Sequence, residues 1–251
     1  MAKQTGIIKL QGTIGDISFY KQDGQHYAKG KGGVDAQRIA TDPAFQRTRE
    51  NGSEFGRAGK ASKLMRNSIR LLLQNAKDSR VTSRLTGEMV KVIQTDSTNV
   101  RGERTVQDGD VTQLLGFEFN KNAKLGATLY AEYSASFDRT LGEGSVNIPA
   151  FIPTSRMAAP QGATHYKILS AVAELDFAGE VFEFEMEDSG ILPYDSNLSS
   201  VIGLAPTISA NADHAAFVVM GIEFYQEVNG QMYPLKNGSY NSLAIVSIDE
   251  V

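Results

Sequence analysis

The sequence predicts an α+β protein that is mainly β: an N-terminal β-hairpin arm over residues 1–35, a basic helical segment over 36–105, and an antiparallel β-sandwich over 106–251. Three observations predict it. From about residue 110, apolar residues recur at every second position in short runs separated by turn residues, two of the turns being Asn-Gly. That is the pattern of hairpin-connected antiparallel strands. Between residues 57 and 94 the apolar period lengthens to that of a helix. Before residue 30, an Asp-Gly pair separates two short runs holding Ile, Phe and Tyr.

The arm comes first. Gly6–Leu10 has the composition of a strand, and Ile17–Lys21 of a second. Asp23-Gly24 sits where a two-residue type I′ turn needs positive φ, and Gln25–Ala28 returns. A lone hairpin is marginal in water, so this one needs cover from the rest of the chain or from a neighbour. Gly30-Lys31-Gly32-Gly33 breaks regular structure and is expected to act as a flexible joint.

In the helical segment, Asp42-Pro43 marks a helix start, Asp as N-cap and Pro at the first helical position. A short helix is expected to about Phe55, interrupted at Gly52. A second is expected from Arg57 to Ala76. At 100° per residue it puts Ala58, Ala61, Met65, Ile69 and Leu72 on one face and Lys63, Arg66, Arg70 and Lys77 on the other. A third over Ser79–Gln94 turns Leu85, Met89, Val92 and Ile93 inward.

Strands are then expected at Leu115–Phe119, Ala127–Tyr133, Ser145–Ile152 and His165–Phe177. Along Glu180–Glu187, Phe182, Phe184 and Met186 alternate with Glu183, Glu185 and Glu187, so one face is apolar and the other carboxylate. The end reads as a meander: Ala215–Glu227, a turn at Asn229-Gly230, Gln231–Leu235, a turn at Asn237-Gly238, then Tyr240–Ile248.

Composition removes several classes of chemistry. The chain has 251 residues, 41% of them hydrophobic, and no cysteine. That suffices for a sizeable core and excludes disulfides, thiolate zinc sites and cysteine nucleophiles. No apolar run approaches the roughly 20 residues of a bilayer span. The first six residues lack the apolar core of a secretory signal, so synthesis in the cytosol is expected. The final location stays open, a virion or other assembled particle among the destinations.

Charge is divided unevenly. Residues 1–105 hold 19 Lys/Arg and 10 Asp/Glu, a balance of +9, and residues 106–251 hold 6 and 19, a balance of −13. A basic front half implies an acidic partner, either nucleic acid or the back half of this same protein.

Motifs for chemistry are sparse. Gly56-Arg57-Ala58-Gly59-Lys60-Ala61-Ser62 resembles a phosphate loop, but position 61 is Ala where Ser or Thr would follow the lysine, and no strand leads into it. Gly30, Gly32 and Gly33 lack the spacing of a dinucleotide fingerprint. His26, His165 and His214 share no metal-ligand spacing, and no Gly-x-Ser-x-Gly elbow occurs. Glu183, Glu185 and Glu187 could hold calcium or meet a basic surface, or simply form the solvated face of a strand. Lys60, Lys63, Arg66 and Arg70, with Arg47, Arg49 and Arg57 nearby, could neutralise phosphates or meet an acidic neighbour.

The segment from Gly12 to Tyr20, with its Gly-x-Ile-Gly-x-x-x-Phe-Tyr pattern, leads to Arg38-Ile39-Ala40-Thr41-Asp42-Pro43-Ala44-Phe45-Gln46-Arg47. These residues resemble uncharacterised proteins of Bacteroidetes and their mobile elements, with a Gly-rich N-terminal hairpin and a C-terminal sandwich. The resemblance implies an architectural protein and carries no active residues.

The expectation is therefore a non-enzymatic structural protein, without cofactor or metal, whose main partner is copies of itself in a virion component, filament or surface layer. Other assembly components are further expected partners, and no membrane insertion is expected. Two other classes stay open: a nucleic-acid-associated protein using the basic helices, and a carbohydrate- or surface-binding sandwich using Tyr194, Tyr225 and Tyr233.

Overall fold

The computed structural model describes residues 2–30, 33–235 and 240–250. The protein is mixed α+β and mainly β, with 34% strand against 26% helix. It divides into two compact units, Met1–Arg49 and Glu50–Val251.

In the first unit, β1 (Ala2–Lys3), β2 (Gly12–Ile14), β3 (Ile17–Gln22) and β4 (Gln25–Gly30) form an antiparallel sheet in the order β1-β4-β3-β2. The β3–β4 hairpin turns at Asp23 and Gly24, with φ of 49° and 77°, as the type I′ pair requires. Tyr20 and Tyr27 face each other across it, stacked at 5.8 Å. Gly6–Leu10 is not a strand, contrary to its composition. The side chain of Gln4 bonds both backbone groups of Leu10 and the Tyr27 carbonyl, closing the intervening residues into a loop. Ile7 and Ile8, within this loop, stand in solvent at 101% and 80% exposure. A short helix α1 (Ala36–Thr41) follows, and Asp42 caps the 3-10 turn Pro43–Phe45 through the Ala44 amide. The joint expected at Gly30–Gly33 has Lys31 and Gly32 outside the described residues, and the Asn237-Gly238 turn also lies outside them.

Helix α2 runs unbroken over Gln46–Ser68, then α3 over Arg70–Leu73 and α4 over Val81–Thr95. The interruption expected at Gly52 does not occur, and Gly56 and Gly59 are also helical. Each glycine costs about 1 kcal/mol against alanine in a helix. Burial of Ala58, Ala61, Leu64 and Met65 on one face opposes that cost. The apolar positions assigned to the third helix, Leu85, Met89, Val92 and Ile93, are all fully buried in α4.

Beyond the helices come α5 (Leu125–Thr128), β5 (Ser134–Asp138), β6 (Glu143–Ile148), α6 (Pro153–Arg156), β7 (His165–Asp176), β8 (Val181–Asp188), β9 (Leu192–Pro193), β10 (Ile202–Leu204), β11 (Ala215–Val228), β12 (Gln231–Pro234) and β13 (Ser242–Asp249). A six-stranded antiparallel sheet is centred on β11 and β7, paired from Ala215↔Leu175 to Tyr225↔His165. Strands β8 and β9 pair with the outer side of β7, and β12 and β13 pair with β11. The second sheet has the order β10-β6-β5. The β11–β12 turn has Asn229 and Gly230 at φ of 53° and 76°.

Alternation along the central strands builds three layers. Leu169, Ala171, Ala173, Leu175, Phe217 and Val219 join the helices in one core. Tyr166, Ile168, Val172, Val218, Met220 and Phe224 join Val146, Ile148, Ile202 and Leu204 of the small sheet in another. The large sheet is thus the middle layer, covered by helices on one face and by the small sheet on the other.

Two expected strands are replaced. Leu115–Phe119 runs beside β13, with Gly116 N bonding Ile245 O and Phe119 N bonding Leu243 O, but Glu118 alone makes a bridge there. Gly116 at φ of +77° breaks the extended path. Ala127–Tyr133 begins as the helical turn α5, because Leu125 and Leu129, four apart, are both buried. The Glu118 carboxylate accepts the Leu125 amide at its start.

Asp96 organises the loop after α4, accepting bonds from the amides of Thr98, Asn99 and Thr105 and from Asn99 Nδ2 at 2.8–3.0 Å. Burial pushes its carboxyl up, but those four bonds outweigh burial and hold the pKa at about 2. A depressed folded pKa gives stability that is full above about pH 4 and is lost as pH falls toward 2, here about 2 kcal/mol. Urea titrations at pH 7, 4 and 2 should show that loss, and Asp96→Asn should remove about 2 kcal/mol of the pH dependence. An unchanged pH profile in the variant would place the acid sensitivity elsewhere.

Candidate interaction site

The residues expected to meet a partner lie on different layers of the second unit. On the outer side of α2 and α3, Lys60, Lys63 and Arg70 are exposed. Arg66 differs from expectation: it is half-buried, and its Nε is enclosed without a hydrogen-bond partner. Lys60 Nζ reaches Glu180 Oε1 at 2.7 Å, both side chains remaining in solvent. This pair ties α2 to the start of β8.

Strand β8 carries the carboxylate face. Phe184 and Met186 pack partly against the helix-side core, whereas Phe182, expected inside, is 45% exposed. On the opposite face, Glu183 accepts the Ser209 amide at 2.9 Å and its hydroxyl at 3.0 Å. Glu187 accepts the Ala205 amide at 2.6 Å. These two carboxylates hold the segment after β10 against the edge of the large sheet, and Glu185 points to solvent. The structure brings Glu183 and Glu187 together with residues 205–209, and does not bring them to Lys63, Arg66 or Arg70.

Several cations are engaged within the fold. Arg104 pairs with the buried carboxylate of Glu54 at 2.8 and 3.1 Å. Burial pushes Glu54 up, but Arg104 and the Gly102 amide bring it below the usual carboxylate range. Arg57 donates to the carbonyls of Gly102 and Arg104, and Arg49 to those of Ile39 and Asp42. On the helical layer Lys63, Arg70, Lys77 and Arg80 are exposed.

Charge therefore separates by layer. Residues 50–105 hold 11 Lys/Arg and 6 Asp/Glu, a balance of +5, against −13 for residues 106–251. The helical face is the basic side of the unit, and the sheets carry the acidic excess.

Other candidates resolve into structural roles. Gly56–Ser62 lies inside α2, where amides serve the helix and cannot cradle a phosphate. Among the described residues, no group of three His, Asp or Glu side chains is arranged to hold a metal ion. Of the three tyrosines considered for a glycan surface, Tyr225 is buried and donates to Glu223, and Tyr194 donates to the Met157 carbonyl. Tyr233 alone of them is well exposed. Among the described residues, no helix is long and apolar enough to cross a membrane.

One grouping has no signature in sequence spacing. His214 Nδ1 lies 3.2 Å from Glu174 and its Nε2 lies 3.6 Å from Asp176. The β7–β11 register sets Ala215 beside Leu175 and so delivers His214 to two alternate carboxylates of β7. Arg139 bonds the His214 carbonyl and pairs with Asp249, so the cluster pins the residues before β11. The only trace in sequence is the Glu174-x-Asp176 alternation at the end of an apolar strand.

No family model matches the chain, and no curated protein matches it. Among solved structures, one described as "pH-induced modulation of Streptococcus parasanguinis adhesion by Fap1 fimbriae" aligns over 45% of this chain and 78% of its own. The identity is 14% and the TM-score 0.21, and a likeness of that degree carries no argument.

Proposed function

We propose that this chain is a non-enzymatic structural subunit that associates with copies of itself, as in a virion component, filament or surface layer. The observation that carries the reading is the arm. Among its described residues none is buried, although it holds four strands with Phe19, Tyr20 and Tyr27 in the middle of the sheet. A small sheet that buries no side chain fully is marginal by itself and gains stability from cover. The first unit, residues 1–49, has 8 Lys/Arg and 4 Asp/Glu, and the second unit is acidic overall by 8 charges. Opposite charge favours encounter and register between copies. A head-to-tail contact between unlike surfaces propagates into a fibre when the rotation does not close.

Exposed charges are screened over about 8 Å at physiological ionic strength. Light scattering across a salt series should therefore show association slowing as salt rises. Reversing Lys63, Arg70 and Lys77 together to Glu should weaken association with the thermal melt preserved, since all three side chains are exposed. A monomer at every salt and concentration, with salt-sensitive retention on DNA, would replace this reading with a nucleic-acid role.

A further inference from the structure

A cavity of about 570 Å³ opens beside the small-sheet core, between the start of β7, the β8–β9 connection and residues 195–204. Its size falls within the range of small-ligand sites. Three carboxylates line it, Glu187, Asp188 and Asp195, and no Lys, Arg or His does. The rest of the wall mixes serines and Asn197 with the aliphatic Leu192, Leu198, Val201 and Leu204. Leu198 and Val201 stand 69% and 62% exposed, so the wall offers uncovered apolar surface.

The second, independent observation is Tyr166. It lines the cavity, is fully buried, and its hydroxyl has no hydrogen-bond partner. An enclosed hydroxyl without a partner costs roughly 1–3 kcal/mol, so such groups call for a missing partner. Burial, with Asp195 nearby, pushes the phenol up to about 12. It therefore stays neutral and presents a lone pair.

We propose that this cavity binds an organic cation carried on an apolar stem, a lysine-type ammonium or its guanidinium equivalent. Glu187 and Asp195 attract the charge, Asp188 being already paired with Lys167 at 3.3 Å, the apolar wall takes the stem, and Tyr166 Oη accepts one N–H. The protein itself carries such a group: Lys9 follows the exposed isoleucines Ile7 and Ile8 in the arm, its Nζ donating to the Gln4 carbonyl, a bond it would exchange on seating. Seating Lys9 of a second copy in the cavity rests on the self-association reading. The cavity's preference for cations does not.

The test uses the full chain and saturation-transfer NMR, with N-acetyl-lysine methylamide and its uncharged counterpart N-acetyl-norleucine methylamide as probes. The lysine probe should bind saturably in the millimolar range, and the norleucine probe at least about tenfold more weakly. Asp195→Asn and Tyr166→Phe should each weaken the lysine probe several-fold. Tyr166→Phe should melt at or above the wild-type temperature, because it removes a buried hydroxyl without a partner, and this separates lost binding from lost folding. Absence of saturable binding, equal binding of the two probes, or unchanged binding in both variants overturns the site. Light scattering then distinguishes the source. If Lys9→Ala and excess lysine probe both reduce association, the arm is the occupant. If the lysine probe binds and neither changes association, the Lys9 seat is overturned and the cavity serves a free cation. Association without probe binding sinks the site alone, and probe binding without association sinks only the structural reading.

Discussion

Phe217→Ala should destabilise the protein by about 3–5 kcal/mol, the cost of emptying a fully buried aromatic site, while Phe182→Ala should cost about 1 kcal/mol or less, as expected of a half-solvated ring. Phe217 is 1% exposed at the middle of the large sheet, facing the helices and meeting Phe177 edge-on at 6.3 Å. Its removal leaves a hole between two layers that are each held by other contacts, so the site cannot collapse freely. Phe182 sits on the edge strand β8, with 45% of its surface in water. Alternation alone ranks both Phe182 and Phe184 as core residues. The strand's position at the sheet edge is what leaves Phe182 uncovered. Urea midpoints for the two variants check the ranking, and a larger loss at Phe182 would overturn the layer assignment.

The second large effect concerns association. Deleting residues 1–33 should abolish self-association while the remaining chain melts within a few degrees of the full protein. Among the described residues, both hydrophobic cores draw their buried members from positions 58–245, and none from the arm. Truncation therefore removes no core side chain. It does remove a four-stranded sheet with no buried residue among those described, and five of the chain's 25 basic residues up to Lys31. Size exclusion with light scattering reads association, and circular dichroism reads folding. An unfolded truncation would make the arm part of the protein's own stability, and a truncation that still assembles would remove the arm from the interface.

What was legible in the sequence has a local cause. Asp23-Gly24 and Asn229-Gly230 adopt positive φ whatever surrounds them, because few other residue pairs tolerate that backbone. The helical period of Leu85, Met89, Val92 and Ile93 and the alternation of Phe184 and Met186 with Glu183 and Glu187 followed from backbone geometry alone. The charge imbalance was also there to count. The parts that failed depended on partners distant in the chain. The apolar run Gly6–Leu10 had strand composition, but the Gln4 side chain, itself bonded to the Tyr27 carbonyl, closes it into a loop. Ala127–Tyr133 fitted a strand until Leu125 and Leu129 found cover on one side of a helical turn.

The sequence by itself determined the element types where short-range sterics and periodicity dominate, the α+β class, and the separation of basic from acidic residues along the chain. Only the tertiary structure decided that β7 and β11 would be buried on both faces, that α2 would continue through Gly52, Gly56 and Gly59, and that the charge imbalance would become a difference between layers. It also assembled Glu187, Asp188, Asp195 and Tyr166 around one cavity. The physical reason is that burial and pairing energies come from contacts between residues far apart in sequence, and these outweigh local propensities of about 1 kcal/mol per residue wherever the two disagree.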